Sequence, residues 1–417
     1  MRNSTSCLSG SARSGLNSVV LVAKLFYRKA FRWLANELSK QGVTVHVICQ
    51  QDEFKKYFKP ERNVIIHSLE MDSTLGFRSR LTYNWFVRTE VKNLVDNQAV
   101  DTILVEGEGA AGLFLFSGSR KIPVITLVNQ CLPDYPFGKW EAPYAASFFL
   151  RKFYSFAESI QLLLSDGIVF ESASAIQSYS QAIKRFRAMG KVSLIPSGVD
   201  KDLFKWQESS IRQRIGVPDS AFLIFAVPGS MTRWKGVPLI LSTVPKIIDR
   251  CPNTYFLLVG KNDDYSTDGA SKSVLDRLLS SGYARNVVLV SRVPLEQLVK
   301  LYAACDLFIH ASFFESAGNV VLEAMSCERP LVITATGYFR ELERLSFGGK
   351  VVPIGDRSAL EKAIIEFIET TPERREMMGR RNLAIIEEHF TVELWANRIK
   401  ELCVRQMKNN SAIAQDF

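Results

Sequence analysis

The sequence predicts an α/β fold with two successive parallel sheets. From Ser18 onward, short runs rich in β-branched residues alternate with longer amphipathic segments, which is the pattern of repeated strand–helix units. The pattern breaks near 196–210, where Pro196, Ser197 and Gly198 precede a polar stretch, and then restarts. A chain of 417 residues, 47% of them apolar, is long enough to build two such domains with separate cores.

The first half contains six candidate strands and three candidate helices. Each strand is a short apolar run bounded by polar or turn residues. The strands are predicted at 18–23, 43–49, 64–68, 101–105, 122–128 and 167–170, and the helices at 27–40, 80–97 and 144–164. A loose tail over 1–17, rich in Ser, Gly and Asn, is expected to precede a first domain at 18–205.

The second half repeats the pattern and predicts a second domain at 206–390. Its strands are predicted at 222–227, 255–259, 287–290, 306–310 and 330–334, and its helices near 236–250, 273–281, 295–303, 318–327, 358–370 and 373–389. A last amphipathic helix at 392–407, within the segment 391–417, is too apolar to remain in solvent. We therefore expect it to pack on a domain that is already built.

Positive charge is concentrated in the first half of the chain. The whole chain carries a net charge of +9, and its first 200 residues contain 24 basic and 17 acidic residues. Aromatic residues accompany the basic ones at helical spacing in 24–33, 77–88 and 148–154. This combination favours docking on an anionic membrane surface, and no nucleic-acid-binding motif is present.

The cysteines and the hydropathy pattern predict the cellular location of the protein. Seven cysteines are scattered without a C-x-x-C spacing, which indicates neither a disulfide framework nor a zinc site. No apolar run reaches the roughly 18–20 residues of a membrane-spanning helix, and the first residues contain no apolar signal-peptide core. We expect a cytoplasmic protein, peripheral on the inner face of the plasma membrane.

The segment 306–334 has the most informative pattern. A strand ends at His310, a loop of small residues contains Glu315, and Gly318 begins a helix on which Glu323 lies eight residues after Glu315. The positive end of such a helix attracts phosphate oxygens, while two carboxylates suit vicinal hydroxyls. A ligand with both features is a nucleotide sugar. The backbone N–H groups expected near its phosphates belong to Ser316, Ala317, Gly318 and Asn319.

A second loop provides cations. The strand at 222–227 leads through Gly229 and Ser230 to Arg233 and Lys235 before the next helix. Both cations could neutralise a diphosphate leaving group. Lys235, Arg233 and Glu315 are therefore the candidate catalytic residues.

One glycine motif supports a different function. Residues 107–112 match G-x-G-x-x-G after a strand and before a helix, which is the pattern of a dinucleotide site. However, the motif is not at the first strand–helix turn, and no acidic residue ends the next strand at 122–128. A dinucleotide-dependent enzyme is therefore the less favoured alternative.

Together the motifs resemble glycosyltransferase family 4, retaining enzymes of the GT-B architecture. The resemblance rests on IPSGVDKDLF at 195–204, G-x5-K-G at 229–236, E-x7-E from Glu315 to Glu323, and VPIGDRSALEKAI at 352–364. The first half agrees with the family in organisation. The resemblance implies two Rossmann-like domains facing across a cleft, with the last helix crossing back to the first domain.

The resemblance also implies roles for single residues. Lys235 would bind the donor diphosphate, Glu323 the ribose hydroxyls, and Glu315 the hydroxyls of the transferred sugar. The donor would be a UDP- or GDP-linked sugar, and the family pattern requires no metal and no other cofactor. One loop would lie against the base: Ser291, Arg292 and Val293.

The acceptor side is less specific. The expected acceptor is a glycan or a lipid-linked glycan in cell-surface polysaccharide or lipopolysaccharide synthesis, and Glu106, Glu108 and Gly109 are the candidate residues near it. An inverting transferase with Glu106 or Glu108 as base is an alternative. The family usually has arginine where this chain has Ser230, so Arg233 is expected to supply that charge, and a non-catalytic nucleotide-sugar-binding homologue is a further alternative.

Overall fold

Two parallel sheets flanked by helices form the described part of the chain, as predicted. The computed structural model describes residues 15–23, 29–50, 59–69, 77–97, 100–106, 122–128, 160–178, 189–261, 269–291 and 293–413. Contacts between Cα atoms divide the chain into two compact units. Unit 1 comprises Met1–Leu127, Ala157–Val169 and Ala396–Phe417, and unit 2 comprises Val128–Phe156 and Phe170–Trp395. These contacts group Phe170–Lys205 with unit 2, and the domain limits at 205 and 390 stay a prediction.

Within the described residues, the first sheet has seven strands in the order β3-β2-β1-β4-β5-β6-β7. The strands are β1 (Ser18–Val22), β2 (Thr44–Gln50), β3 (Val64–Leu69), β4 (Thr102–Glu106), β5 (Val124–Val128), β6 (Gly167–Phe170) and β7 (Val192–Leu194). The helices are α1 (Lys29–Lys40), α2 (Phe77–Asn97) and α3 (Ala173–Ser178). Of the helix predicted at 144–164, only 160–164 are described, and they are helical. Strand β7 was not predicted because three half-exposed residues leave no hydrophobic pattern.

Helix α2 covers one face of this sheet. Its residues Tyr83, Val87 and Val91 are buried against Val20 and Ile48 of the central strands. The apolar positions recur at helical spacing, so burying one stripe fixes the helix on the sheet. The opposite stripe of α2 faces solvent and includes the exposed side chain of Trp85.

The part of the second sheet that the structure describes has six strands in the order β10-β9-β8-β11-β12-β13. They are β8 (Phe222–Ser230), β9 (Thr254–Lys261), β10 (Val287–Val290), β11 (Leu307–His310), β12 (Leu331–Thr334) and β13 (Gly349–Val352). The helices are α4 (Ile211–Arg214), α5 (Val237–Arg250), α6 (Gly269–Leu279), α7 (Leu295–Ala304), α8 (Asn319–Ser326), α9 (Phe339–Arg344), α10 (Arg357–Glu369) and α11 (Pro372–His389). The edge strand β13 was missed because it begins with glycine and is largely half-buried.

The topology of this sheet brings the two motif loops together. Strands β8 and β11 are neighbours and run parallel, with Leu307 paired to Ile224 and Phe308 to Phe225. The carboxyl ends of parallel neighbours lie at the same edge of a sheet. The loop after β8, which contains Lys235, therefore leaves the sheet next to the loop after β11, which contains Glu315.

The last helix, α12 (Val392–Ile413), joins both units. Its residues up to Trp395 are grouped with unit 2, and those from Ala396 with unit 1. At its start, Val392 N–H donates to the Val199 carbonyl over 3.2 Å. The prediction that this helix packs back on the first part of the chain is confirmed. None of the helices in the described ranges is long and apolar enough to cross a membrane.

Candidate functional site

The loop after β8 is fixed against the loop after β11 through backbone contacts. A 3₁₀ turn at Arg233–Lys235 ends in Gly236, whose φ is +71°. A Cβ at Gly236 would lie 2.0 Å from the Ala311 carbonyl oxygen, so only glycine fits there. The Phe313 N–H also donates to the Trp234 carbonyl over 2.8 Å. Lys235, between Trp234 and Gly236, is therefore held beside the 311–318 loop.

Lys235 and Glu315 form an ion pair at this edge of the sheet. Lys235 Nζ lies 2.5 Å from Glu315 Oε1, and the Ser312 hydroxyl donates to the same oxygen over 3.1 Å. His310 Nε2 is 3.5 Å from it. Burial alone would raise the pKa of Glu315, but the Lys235 cation, which also donates to Oε1, and the Ser312 hydrogen bond hold that pKa below its ordinary value. Glu315 is therefore a carboxylate at neutral pH, with all three groups on one oxygen.

His310 is a neutral imidazole in this arrangement. Only 7% of its side chain is exposed. Burial lowers the pKa of His310 to about 4, the carboxylate of Glu315 opposes that shift, and the Lys235 cation adds to it. The position of His310 at a strand end is visible in the sequence, but no motif there indicates a role for it.

The turn before α8 is held by hydrogen bonds to its carbonyl groups. Gly318 precedes the helix with a φ of +87°. The Ser172 hydroxyl donates to the Ser316 carbonyl, and the Tyr338 N–H donates to the Ala317 carbonyl over 3.1 Å. These bonds occupy carbonyl acceptors of the 315–318 turn. Sequence reasoning missed Ser172, because 144 residues separate it from Ser316.

Asn319 takes part in a buried polar cluster. Its Oδ1 accepts hydrogen bonds from the Ser197 hydroxyl over 2.9 Å and from the Tyr338 hydroxyl over 3.1 Å. The Ser197 and Tyr338 hydroxyl oxygens are 2.5 Å apart. The side-chain oxygen of Asn319 thus ties the start of α8 to the 195–199 turn, and a contact of Asn319 with a donor stays a prediction.

Glu323 is held inside unit 2 by a tyrosine. Its side chain is 1% exposed, and the Tyr302 hydroxyl donates to its Oε2 over 3.0 Å. Burial, followed by the charge of Glu323, raises the pKa of Tyr302 well above its ordinary value, so the phenol keeps its proton. The ring of Tyr302 packs edge-on against Phe204 and Phe225. Sequence reasoning missed Tyr302 because an aromatic residue on an amphipathic helix is typical of a core position.

The remaining predicted donor residues lie at neighbouring strand ends. Gly229 is exposed with a φ of +75°, and Ser230, the last residue of β8, has its hydroxyl 3.3 Å from that of Thr232. Arg233 is exposed in the 3₁₀ turn. After β10, Ser291 is exposed and Val293 half-buried, whereas Arg292 lies outside the described residues.

The predicted acceptor residues are only partly described. Glu106 is buried at the end of β4 in unit 1. Glu108, Gly109 and the glycine motif at 107–112 lie outside the described residues. Within the described ranges, no three His, Cys, Asp or Glu side chains are grouped so that they could hold a metal ion. A reaction without metal or cofactor stays a prediction.

The neutral His310 predicts a pH-dependent stability. Because its pKa in the folded protein is about 4 and its ordinary value is 6.5, the unfolded chain binds a proton there that the folded chain does not. His310 should therefore leave the free energy of unfolding unchanged above pH 6.5. Between pH 6.5 and 4 its contribution should lower that free energy by about 3 kcal/mol. Urea unfolding of the wild type and of His310→Gln over this range measures it. If the free energy of unfolding of His310→Gln depends on pH as strongly as that of the wild type, the low pKa of His310 is contradicted.

Two family descriptions match the chain. Residues 31–203 match "Glycosyltransferase Family 4", and residues 208–383 match "Glycosyl transferases group 1". A D-inositol 3-phosphate glycosyltransferase of Segniliparus rotundus is 29% identical over 46% of this chain and 42% of the relative. The alpha-galactosylglucosyldiacylglycerol synthase of Streptococcus pneumoniae is 26% identical over 42% of this chain and 46% of the relative. The chain thus matches less than half the length of each of these two relatives.

Solved structures are similar over nearly the whole chain. A sucrose-phosphate synthase from Thermosynechococcus elongatus has a TM-score of 0.75 at 18% identity, covering 94% of this chain and 99% of that one. The Anabaena protein HepE in complex with UDP and glucose has a TM-score of 0.69 at 18% identity, covering 92% and 98%. At such identities the likeness shows the fold alone. With two parallel sheets and family matches in both halves, the chain belongs to glycosyltransferase family 4, group 1, and has the GT-B fold.

Proposed function

We propose that this glycosyltransferase transfers a sugar, with retention of configuration, from a UDP- or GDP-linked donor to a glycan or lipid-linked acceptor. The observation that carries the proposal is the Lys235–Glu315 ion pair beside the start of α8. It places a cation, a carboxylate and a helix N-terminus at one sheet edge. A nucleotide sugar combines the diphosphate and the hydroxyl groups that these partners bind.

The cation and the helix start would bind the diphosphate. Lys235 is one-third exposed, so its ammonium group can turn towards a ligand without leaving its turn. As the bond between the sugar and the phosphate breaks, negative charge accumulates on the leaving diphosphate. A fixed cation and helix amides stabilise this charge more in the transition state than in the bound donor. Arg233, exposed in the same turn, would supply the charge that Ser230 does not.

The two glutamates would bind the hydroxyl groups at the two ends of the donor. In the described chain, no hydrogen bond occupies Glu315 Oε2, since its partners all lie on Oε1. That second oxygen would accept a bond from a hydroxyl of the transferred sugar. Glu323, held by Tyr302, would accept one from the ribose. In this proposal Ser291, Arg292 and Val293 would lie against the base.

Retention requires no strong protein base. The sugar–phosphate bond breaks, the acceptor oxygen bonds to the same carbon on the same face, and the acceptor proton passes to the departing phosphate oxygen. His310 lies beside Glu315, and burial lowers its pKa to about 4, so its imidazole is a weak base. This fits a mechanism in which no histidine removes the acceptor proton. Solved structures of Anabaena HepE are complexes with UDP or UDP-glucose, which supports the donor class by analogy.

The proposed acceptor is lipid-linked and is met at an anionic membrane surface. Two curated relatives are named as glycolipid synthases. In unit 1, Trp85 on α2 is 64% exposed, and the Arg88 guanidinium lies 5.4 Å from the centre of its ring. An exposed tryptophan beside a basic residue suits the interface of anionic lipids. This part of the proposal places the protein in the cytoplasm, peripheral on the inner face of the plasma membrane, in polysaccharide or lipopolysaccharide synthesis.

A nucleotide titration tests the donor site. We expect calorimetry to show that either UDP or GDP binds, with ADP and NAD weaker. Lys235→Ala should weaken binding about tenfold or more, because a charge-assisted contact to the diphosphate is lost. Glu323→Ala should also weaken it through the lost ribose contact.

The control is Lys300→Ala, a change at an exposed lysine on α7 outside the site. Preference for NAD would favour a dinucleotide enzyme, and binding without sugar transfer would favour the non-catalytic homologue. Once a sugar is turned over, the anomer of the product distinguishes retention from inversion.

A vesicle sedimentation assay tests the membrane surface. The chain should sediment with vesicles containing anionic phosphatidylglycerol and remain in solution with neutral phosphatidylcholine, and added salt should weaken the binding. Trp85→Ala should weaken it by several-fold. Equal partition onto both vesicle types, or none, would contradict this part of the proposal.

A further inference from the structure

Three groups lie close to one oxygen of Glu315, Oε1. They are Lys235 Nζ at 2.5 Å, Ser312 Oγ at 3.1 Å and His310 Nε2 at 3.5 Å. The Glu315 side chain is only 14% exposed. Water therefore cannot replace a lost partner freely, and the charged oxygen needs donors from the protein.

Under the proposed function, donor binding would remove the closest of these partners. If Lys235 turns to the diphosphate, as the proposed function holds, the ammonium group leaves Oε1. The Ser312 hydroxyl alone would then remain in hydrogen-bond geometry. Leaving a buried carboxylate underbonded costs free energy that subtracts from the affinity for the donor.

A ring nitrogen of His310 lies close to the same oxygen, 3.5 Å from it. The His310 side chain is 93% buried, and its Nε2 has no hydrogen-bond partner among the described residues. Gly318 adjoins both side chains, because a Cβ there would be in van der Waals contact with Nε2 at 3.6 Å and with Glu315 Cγ at 3.9 Å. A small rotation of the carboxylate would bring Oε1 and Nε2 into normal hydrogen-bond distance.

We propose that His310 is a positioning residue that takes over Glu315 Oε1 when Lys235 moves to the donor diphosphate. The neutral imidazole with its proton on Nε2 replaces the ammonium group as donor, so Glu315 stays ionised and keeps Oε2 directed at the sugar. The inference rests on the proposed function, since it requires that Lys235 binds the diphosphate. It explains why a neutral histidine, rather than a second cation, is placed at the end of β11.

A double-mutant cycle on nucleotide binding tests this exchange. With whichever of UDP or GDP binds the wild type, His310→Phe should weaken binding about tenfold, while His310→Gln, whose amide can donate, should stay within about threefold of wild type. In a Glu315→Ala background, His310→Phe should have no effect, because no carboxylate then needs a donor. His389→Phe, a change at the end of α11, is the matched control.

Histidine nitrogen resonances give an independent readout. The chain contains four histidines, so ¹⁵N-histidine labelling yields few signals, and His310→Gln identifies that of residue 310. We expect a neutral Nε2–H form of His310 whose signal shifts when the nucleotide binds. Equal weakening by His310→Phe in both backgrounds, or an unmoved His310 signal at saturating nucleotide, would overturn the inference. Failure of the wild type to bind any nucleoside diphosphate would instead overturn the proposed function.

Discussion

The contact between the loops after β8 and β11 is the constraint on which the candidate site depends. Lys235 and Glu315 are 80 residues apart in sequence, and this contact is what brings their side chains together. The parallel pairing of the two strands brings the loops to the same edge, and the Phe313–Trp234 hydrogen bond and the close approach of Gly236 to Ala311 fix their separation. The ion pair then neutralises two charges that neither loop could bury alone.

The two glutamates of the E-x7-E motif are stabilised by different physical means. Glu315 is paired with a cation that can leave, so its environment can change when a ligand binds. Glu323 accepts from the neutral Tyr302 hydroxyl, which is locked in an aromatic cluster and cannot move easily. The partner of Glu315 can therefore be replaced when a ligand binds, whereas the partner of Glu323 is fixed. This difference matches the roles proposed for them, the first at the reacting sugar and the second at the nucleoside.

Much of the fold could be predicted because β-branched runs and amphipathic periodicity report local burial. The two half-exposed or very short strands, β7 and β13, have no such pattern and were missed. Lys235, Glu315 and Glu323 could be singled out from their position after strand ends and from the family resemblance. Their partners could not: Ser172, Ser197 and Tyr302 are ordinary residues whose importance comes from contacts distant in sequence.

In the proposed function the donor opens the Lys235–Glu315 ion pair, which therefore does not serve as a fixed structural bridge. The most direct measurement is the affinity of Glu315→Gln for the nucleoside diphosphate that the wild type binds, compared with that of Lys235→Met. We expect opposite effects on affinity. Glu315→Gln should bind the nucleotide as tightly as the wild type or more tightly, because no ion pair has to break to release Lys235, while Lys235→Met should bind it more weakly. Equal weakening in both variants would show that the pair only holds the loops in place.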